Sequence, residues 1–385
     1  MQFETLGFFG ILFGVVARFW PVWIGLGTVF ILSTRYRKVL GLYGHLFETK
    51  VGIAGLAICL FWLFTAIFAD VIAPFGALEQ IPLLKNAAPG TIEPETGLPF
   101  LFGGDRLARD VFSRMVFGSQ IVLAIAPAAT LFALMVGTTL GLPAGYYGGR
   151  IDSVLSFLAN LVLAFPVILL FYLLVTPGIR ETSIPQWLAG FFFVFPVIFL
   201  STLFYTRFSG RPGLLAVLIG VTFLVGGWLY AGLVFNADPL GIVSLRPNEL
   251  NIFVAVVFAS SPGVFRIVRG LTMDIKTRDY VAAAQTRGEN PWYIMLWEVL
   301  PNARGPLIVD ACLRIGYTTI LLGTLGYFGL GLAPESPDWG TAIKESSRLL
   351  RAYIHPALPP ALALMSFVLG LNLLADALRE QSLKD

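Results

Sequence analysis

Residues able to do catalytic or metal chemistry are few in this sequence. The chain has only two histidines and two cysteines, and Cys59 and Cys312 lie in apolar runs where a thiol behaves as a small hydrophobe. No G-x-x-x-x-G-K-[ST], H-E-x-x-H or G-x-S-x-G pattern occurs. The sequence therefore predicts a non-catalytic protein with no catalytic residues, no metal site and no nucleotide site of its own.

Asp310 and Arg314 are two charged residues inside a long apolar run. At a spacing of four residues they share one helical face, so they can pair and reduce the cost of placing charge near lipid. Charged residues inside membranes are also frequent in functional sites. The pattern leaves both a structural ion pair and a functional site open.

Residues 276–305, here named the paired-helix segment, read KTRDYVAAAQTRGENPWYIMLWEVLPNARG. Helix formers over 277–287 are followed by Gly288, a typical helix stop. Asn290 resembles an N-cap, with Pro291 at the first position of a second helix that ends at Pro301. The pattern predicts two short helices joined by a glycine turn, which must lie on another surface.

Small residues in the first of these helices would let another surface approach closely, with Tyr280 as an apolar anchor. Two interpretations stay open: a solvated helix pair at the membrane interface, or a docking element for a cytoplasmic protein. The candidate docking residues are Asp279, Tyr280, Ala282, Ala283, Ala284, Arg287, Gly288, Leu300, Pro301 and Asn302.

The rest of the chain is strongly apolar. Of its 385 residues 57% are hydrophobic and 13% charged, and the mean hydropathy is +0.80. This composition excludes a disordered chain, a nucleic-acid-binding domain and a small secreted scaffold, and it predicts an all-α polytopic membrane protein. The candidate spans are about 6–32, 51–73, 119–142, 153–175, 187–206, 213–235, 251–268, 306–333 and 357–378.

The distribution of lysine and arginine predicts the orientation of the spans. The set of loops that includes 33–50, 143–152, 207–212 and 269–305 carries more basic residues than the other set, which includes Arg246. Because cytoplasmic loops are enriched in lysine and arginine, the richer set should be cytoplasmic. This places the N-terminus outside, the C-terminus inside, and the 74–118 loop outside.

The paired-helix segment resembles the EAA loop of ABC-importer permease subunits. That loop runs Glu-Ala-Ala, three residues, Gly, nine residues, then an apolar residue, any residue and Leu-Pro. Gly288, Leu300 and Pro301 fall in register. Ala282 stands where the family usually has Glu, and Glu298 stands at the usually apolar position.

Three further blocks resemble the dipeptide/oligopeptide group of this family: GGDRLARDVFSRMVFG at 103–118, AGYYGGRID at 144–152 and FGLGLAPESPDWG at 328–340. In the first block an apolar stripe predicts an amphipathic helix over 106–117 lying at the outer interface. The residues singled out there are Asp105, Arg109, Asp110, Ser113 and Arg114. The second block predicts a tight cytoplasmic turn with Gly145, Tyr146, Gly148, Gly149 and Asp152.

The resemblance implies a type I-like ABC importer permease core of roughly six spans, to which about three spans are added. The predicted organisation is an additional span and linker at 1–50, the first part of the core at 51–175, an inserted two-span hairpin at 176–250, and the second part of the core at 251–385 with a coupling loop at 269–305.

The resemblance also implies function and partners. We expect a permease subunit for di- or oligopeptides in the cytoplasmic (inner) membrane, surrounded by lipid and with no nucleic acid partner. The expected partners are a second permease subunit, two cytoplasmic ATPase subunits that hold ATP and Mg, and an extracytoplasmic solute-binding protein. The alternatives are nickel or another small solute, an ion-coupled secondary transporter, or a membrane scaffold.

Overall fold

The structure is a computed structural model that describes residues 4–180, 182–241, 247–330 and 335–382. The helices up to residue 180 are α1 (Phe8–Arg18), α2 (Trp20–Tyr36), α3 (Leu42–His45), α4 (Lys50–Ile67), α5 (Ala69–Ile72), α6 (Val111–Tyr147), α7 (Gly149–Ala164), α8 (Val167–Val175) and α9 (Pro177–Arg180). The later helices are α10 (Ile184–Phe208), α11 (Pro212–Phe235), α12 (Pro247–Ile275), α13 (Asp279–Thr286), α14 (Pro291–Tyr293), α15 (Leu300–Asn302), α16 (Arg304–Phe328), α17 (Trp339–Ser347) and α18 (Leu358–Ser382). The predicted all-α class is confirmed.

The remaining regular elements are short. Two 3₁₀ turns lie at Leu46–Glu48 and Pro82–Leu84, and a π-helical turn at Ile294–Val299. Strands β1 (Thr91–Ile92) and β2 (Pro99–Phe100) form an antiparallel pair inside the 74–118 loop.

Seven helices within the described residues are long and apolar enough to cross a membrane, and two bent helix pairs bring the number to nine. The pair α1–α2 is bent by 55° and the pair α7–α8 by 75°. The single predicted spans 6–32 and 153–175 are therefore each broken. The second break is explained by Pro166, because a proline moves the preceding residue, here Phe165, out of the helical conformation.

The chain divides into two compact units, of which the first comprises Met1–Ala126 and Ile315–Asp385. Its core contains Trp339, which is fully buried and stacks edge-on against Trp62 at a centroid distance of 5.0 Å. The Trp339 indole N–H donates to the carbonyl of Met115 over 2.9 Å. The α17 helix is thus fixed to the start of α6.

Helix α1 lies against the 74–118 loop. Just before α1, the Leu6 amide donates to the Gly90 carbonyl over 2.9 Å and Thr5 forms a bridge with Thr91, and within α1 Gly14 lies against the Leu101 side chain. The other face of α1 is apolar and exposed, with Phe9 and Phe13 each more than three-quarters accessible. The residues predicted as an N-terminal addition therefore include a helix packed on this loop and a following helix bent away from it by 55°.

The second unit comprises Pro127–Arg314. Its α10–α11 hairpin packs through α10 against α12. The pair predicted at the end of this unit forms: Arg314 Nε donates to Asp310 Oδ2 over 2.5 Å and Nη1 donates to the Ser260 carbonyl over 3.1 Å. Both charges are thus partnered, which supports the structural interpretation of this pair.

Candidate functional site

Helix α13 of the paired-helix segment has one buried and one exposed face. Val281 and Ala284 are buried in an apolar cluster with Ile294 and Val299. Ala284, predicted as a docking residue, is fully buried and cannot touch a partner, which corrects that assignment. The exposed predicted residues are Asp279, Tyr280, Ala282, Ala283, Arg287, Gly288, Pro301 and Asn302, while Leu300 is partly buried. The exposed face of α13 therefore presents Ala282 and Ala283 to solvent, with the larger Asp279 and Tyr280 beside them.

Gly288 forms the turn between the two halves of the segment, as predicted. Its φ of +77° lies in the left-handed region, where a side chain is strained. Its amide donates to the Gln285 carbonyl over 2.9 Å, and the Glu289 amide donates to the Ala284 carbonyl over 3.2 Å. This paired pattern caps the end of α13. A Cβ at Gly288 would meet nothing within 4 Å, so the backbone conformation and not space demands glycine.

The second half of the segment begins as predicted but ends differently. The Asn290 side chain accepts a hydrogen bond from the Trp292 amide over 2.9 Å, which is the expected N-cap. The helix does not stop at Pro301, because it continues through α15 to Asn302. A proline inside a helix lacks an N–H, and its ring clashes with the carbonyl four residues earlier. Here the π turn at Ile294–Val299 widens the helix just before Pro301, which accommodates the proline.

Glu298, at a usually apolar position of the motif, takes part in an ion pair. Its Oε1 lies 3.1 Å from Arg287 Nη2, while Glu289 Oε1 lies 3.7 Å from Arg287 Nε. The pair joins the two halves of the segment across the glycine turn. Because Arg287 is more than half exposed, the pair contributes at most about 1 kcal/mol.

The predicted 145–152 turn lies against the paired-helix segment. The Lys276 ammonium donates to the Gly145 carbonyl over 2.8 Å and to the Tyr146 carbonyl over 3.2 Å. Gln285 Nε2 donates to the Tyr146 hydroxyl over 3.2 Å. Two motifs that are at least 130 residues apart at these contacts thus form one surface.

The other residues of this turn set its shape and fix it to α12. Gly148 and Gly149 have φ of +67° and +56°, which lets the chain pass from α6 to α7 in one step. Asp152 accepts a bidentate pair of hydrogen bonds from the Arg269 guanidinium, the Nη2–Oδ2 bond being 2.6 Å. Bidentate arginine–carboxylate pairs are among the stronger polar contacts in proteins.

A second group of predicted residues forms a buried charge network in the first unit. Arg109 Nη2 lies 2.7 Å from Asp105 Oδ2 and 2.5 Å from Glu345 Oε2. Arg114 Nη2 lies 3.1 Å from the same Glu345 oxygen and 3.1 Å from the Ser336 carbonyl oxygen. Both guanidinium groups are almost completely buried. The network joins the 74–118 loop to α17.

Asp110 lies next to this network in a different environment. Burial raises the pKa of its carboxyl to about 6, although Ser113 donates to Oδ2 from both its amide and its hydroxyl, over 2.8 and 2.7 Å. Burial likewise raises the pKa of Asp338, which caps α17 by accepting from the Thr341 amide over 2.9 Å. Each has one buried oxygen without a hydrogen-bond partner among the described residues.

These observations correct the prediction of an amphipathic surface helix over 106–117. Helix α6 begins only at Val111, and residues 104–110 form a turn closed by a bridge between Gly104 and Asp110. The five residues singled out there, Asp105, Arg109, Asp110, Ser113 and Arg114, are all buried. The apolar residues Val111 and Met115 are buried in the first unit, and Arg109 and Arg114 are buried near them in ion pairs with Glu345.

Sequence reasoning missed several partners. Glu345 is 236 residues from Arg109 in sequence, and nothing in its local pattern marks it as the partner of a buried arginine. The hydrogen bond between Trp297 and Thr206 was missed for the same reason, because 91 residues separate the two in sequence. Asp338 and Trp339 lie in the quoted 328–340 block, so that block could have indicated them. Gly331 and Pro334 of the same block, like Arg246, lie outside the described residues.

Comparison with known proteins identifies the family. The model of the binding-protein-dependent transport system inner membrane component matches residues 137–382, which include both the 145–152 turn and the paired-helix segment. The chain belongs to this family. It is a multi-pass inner-membrane component of an ABC importer, and members of the family are not the catalytic subunits.

Individual relatives agree over most of the chain. A dipeptide transport system permease protein, DppC of Alkalihalophilus pseudofirmus, is 26% identical over 88% of this chain and 87% of its own length. A glutathione transport system permease protein, GsiD of Pectobacterium atrosepticum, is 30% identical over 72% of this chain and 70% of its own. A di/tripeptide permease protein, DppC of Pseudomonas aeruginosa, is 28% identical over 86% and 88%.

Proposed function

We propose that the chain is a permease subunit of an ATP-driven importer of di- or oligopeptides, with the paired-helix segment as its coupling element. The observation that carries this proposal is that α13 exposes Ala282 and Ala283 on one face while its opposite face is buried in an apolar cluster that holds the helix in place. Such a face can receive a partner closely and pass on its movement. Relatives named for dipeptide, di/tripeptide and glutathione transport support peptides over nickel.

The proposed assembly has three kinds of partner. A second permease subunit lines half of the path, and two cytoplasmic ATPase subunits hold ATP and Mg. An extracytoplasmic binding protein delivers the solute. When the ATPases close on ATP, the paired-helix segment moves and the spans alternate between inward-open and outward-open states, so that ATP and solute each favour a different state.

The proposed orientation places the paired-helix segment and the 145–152 turn in the cytoplasm, with the N-terminus outside. The hydrogen bonds from Lys276 and Gln285 to this turn support a common side for both. Arg269, Arg278 and Arg287 on or near this surface agree with the basic character of cytoplasmic loops.

Uptake by the co-purified complex tests the proposal. The complex is reconstituted in liposomes with the binding protein, and uptake of a labelled dipeptide is measured with ATP inside or outside, with glutathione, a free amino acid and nickel as competitors. We expect uptake that requires ATP on the side of the ATPases, and competition by glutathione alone. Uptake driven by an ion gradient without ATP, or competition by nickel alone, would contradict the proposal.

A further inference from the structure

The α10–α11 hairpin, which the core of the family lacks by resemblance, contacts the paired-helix segment. Helix α10 packs against α12 along the second unit and reaches α14 with its last turns. Phe199 and Leu203 of α10 lie against the apolar cluster that also holds Ile294 and Val299. The hairpin is thus more than a peripheral pair of spans.

The most specific contact is made by Trp297. Its indole N–H donates to the Thr206 hydroxyl over 3.1 Å, and the Arg207 guanidinium carbon lies 5.1 Å from the centroid of its ring. The Thr206 hydroxyl in turn donates back to carbonyls of its own helix, Thr202 and Leu203, each at 3.0 Å. The hydroxyl therefore bridges the end of α10 to the paired-helix segment.

Trp297 lies at a distinctive position within the segment. Trp297 lies in the π turn at Ile294–Val299, between the Gly288 turn and Pro301. Single π turns inside helices are frequent at functional sites. The Tyr146 contact fixes the first half of the segment, at Gln285, and the Thr206 contact fixes the second half.

We propose that the α10–α11 hairpin is a brace that sets the position of the paired-helix segment, with Thr206 and Trp297 as positioning residues. The inference rests on the proposed coupling role of that segment. If both halves of the segment are held in place, the movement of the ATPases is transmitted to the spans. If only one half is held, the other half moves and the movement is not transmitted. Loss of the Thr206–Trp297 bond loosens the second half and uncouples ATP hydrolysis from transport.

The test compares three threonine variants of the full chain in the complex. T206V removes the hydroxyl but keeps the shape, T206S keeps the hydroxyl, and T202V is the matched control, since the only hydrogen bond of the Thr202 hydroxyl among the described residues is to the Ile198 carbonyl. A net hydrogen bond corresponds to about a threefold to tenfold change in an equilibrium. We expect T206V to raise the ATP hydrolysed per solute imported by about that factor, and T206S and T202V to match the wild type.

Two further measurements separate this inference from the proposed function. Trypsin cleavage after Arg287, which is exposed, reports the mobility of the segment whether or not transport occurs, and we expect T206V to be cleaved about threefold faster than T202V. The W297F/T206V double variant should be no worse than either single variant. Additive effects, or T206V indistinguishable from T202V in both readouts, would overturn the brace. Absence of ATP-driven uptake in the wild type would instead overturn the proposed function.

Discussion

At the residue scale, Asp110 is the most unusual ionisable group described outside the spans. Its carboxyl is buried, one oxygen lacks a hydrogen-bond partner, and its pKa is raised to about 6, with the Arg18 charge opposing that rise. A carboxyl with a raised pKa favours the folded state in its protonated form. Its contribution to stability is therefore gained as the pH falls through about 6 and grows until the pKa of the unfolded chain is passed.

The first prediction concerns D110N. As the pH falls from 6 to 5, the free energy of unfolding of the wild type should rise relative to that of D110N, by up to about 1 kcal/mol. Apparent melting temperatures of the purified chain over pH 5–7.5 measure the difference. D70N, which alters an exposed carboxylate of the same unit, is the control. A difference between wild type and D110N that is independent of pH would contradict the assignment.

The second prediction concerns Glu345, which serves Arg109 and Arg114 together. E345Q leaves two buried guanidinium groups with one fewer carboxylate, so it should destabilise the first unit by about 3 kcal/mol. A fall in apparent melting temperature measures the loss. E335Q, in an exposed position on the same stretch of chain, should change it little. Equal melting temperatures for the two variants would show that the network contributes nothing.

At the element scale, the two halves of the paired-helix segment depend on one turn. G288A keeps the residue small but forces a Cβ into a left-handed backbone conformation, which costs about 1–2 kcal/mol. We expect the chain to insert normally while ATPase association or coupled transport falls. G270A is the matched control, because a Cβ at Gly270 meets nothing within 4 Å and its φ is ordinary.

Co-purification of the ATPases and solute-stimulated ATP hydrolysis measure the effect of G288A. If G288A and G270A retain the same stimulation, the turn is not part of the coupling element.

Local signals explain which elements the sequence could predict. The Gly288 turn and the Asn290 cap follow from residues within a few positions of one another, so a pattern reveals them. The 106–117 stretch has an equally clear apolar stripe, yet its Arg109 and Arg114 are buried in ion pairs with Glu345, far along the chain. The break at Phe165–Pro166 had a local signal in Pro166, which an apolar run alone obscures.

At the scale of the whole molecule, membrane spans were predictable because lipid requires long apolar helices. The number of candidate spans agrees with the seven helices and two bent pairs of the described residues. The contacts that connect distant motifs were not predictable, because the Tyr146–Gln285 and Thr206–Trp297 bonds depend on how α6, α10 and α12 pack. The order of the motifs in the sequence predicted the function, whereas the brace could be inferred only from the structure.

The central claim is that the exposed face of α13 meets an ATPase subunit in the cytoplasm. A283C, in a chain whose Cys59 and Cys312 are replaced by alanine, provides one thiol on that face, and E335C provides one on the opposite predicted side. Thiol-specific cross-linking in the assembled complex should join A283C to an ATP-hydrolysing subunit, and a membrane-impermeant thiol reagent applied to intact cells should label E335C alone. Labelling of A283C from outside, or no cross-link to any companion protein, would contradict the account.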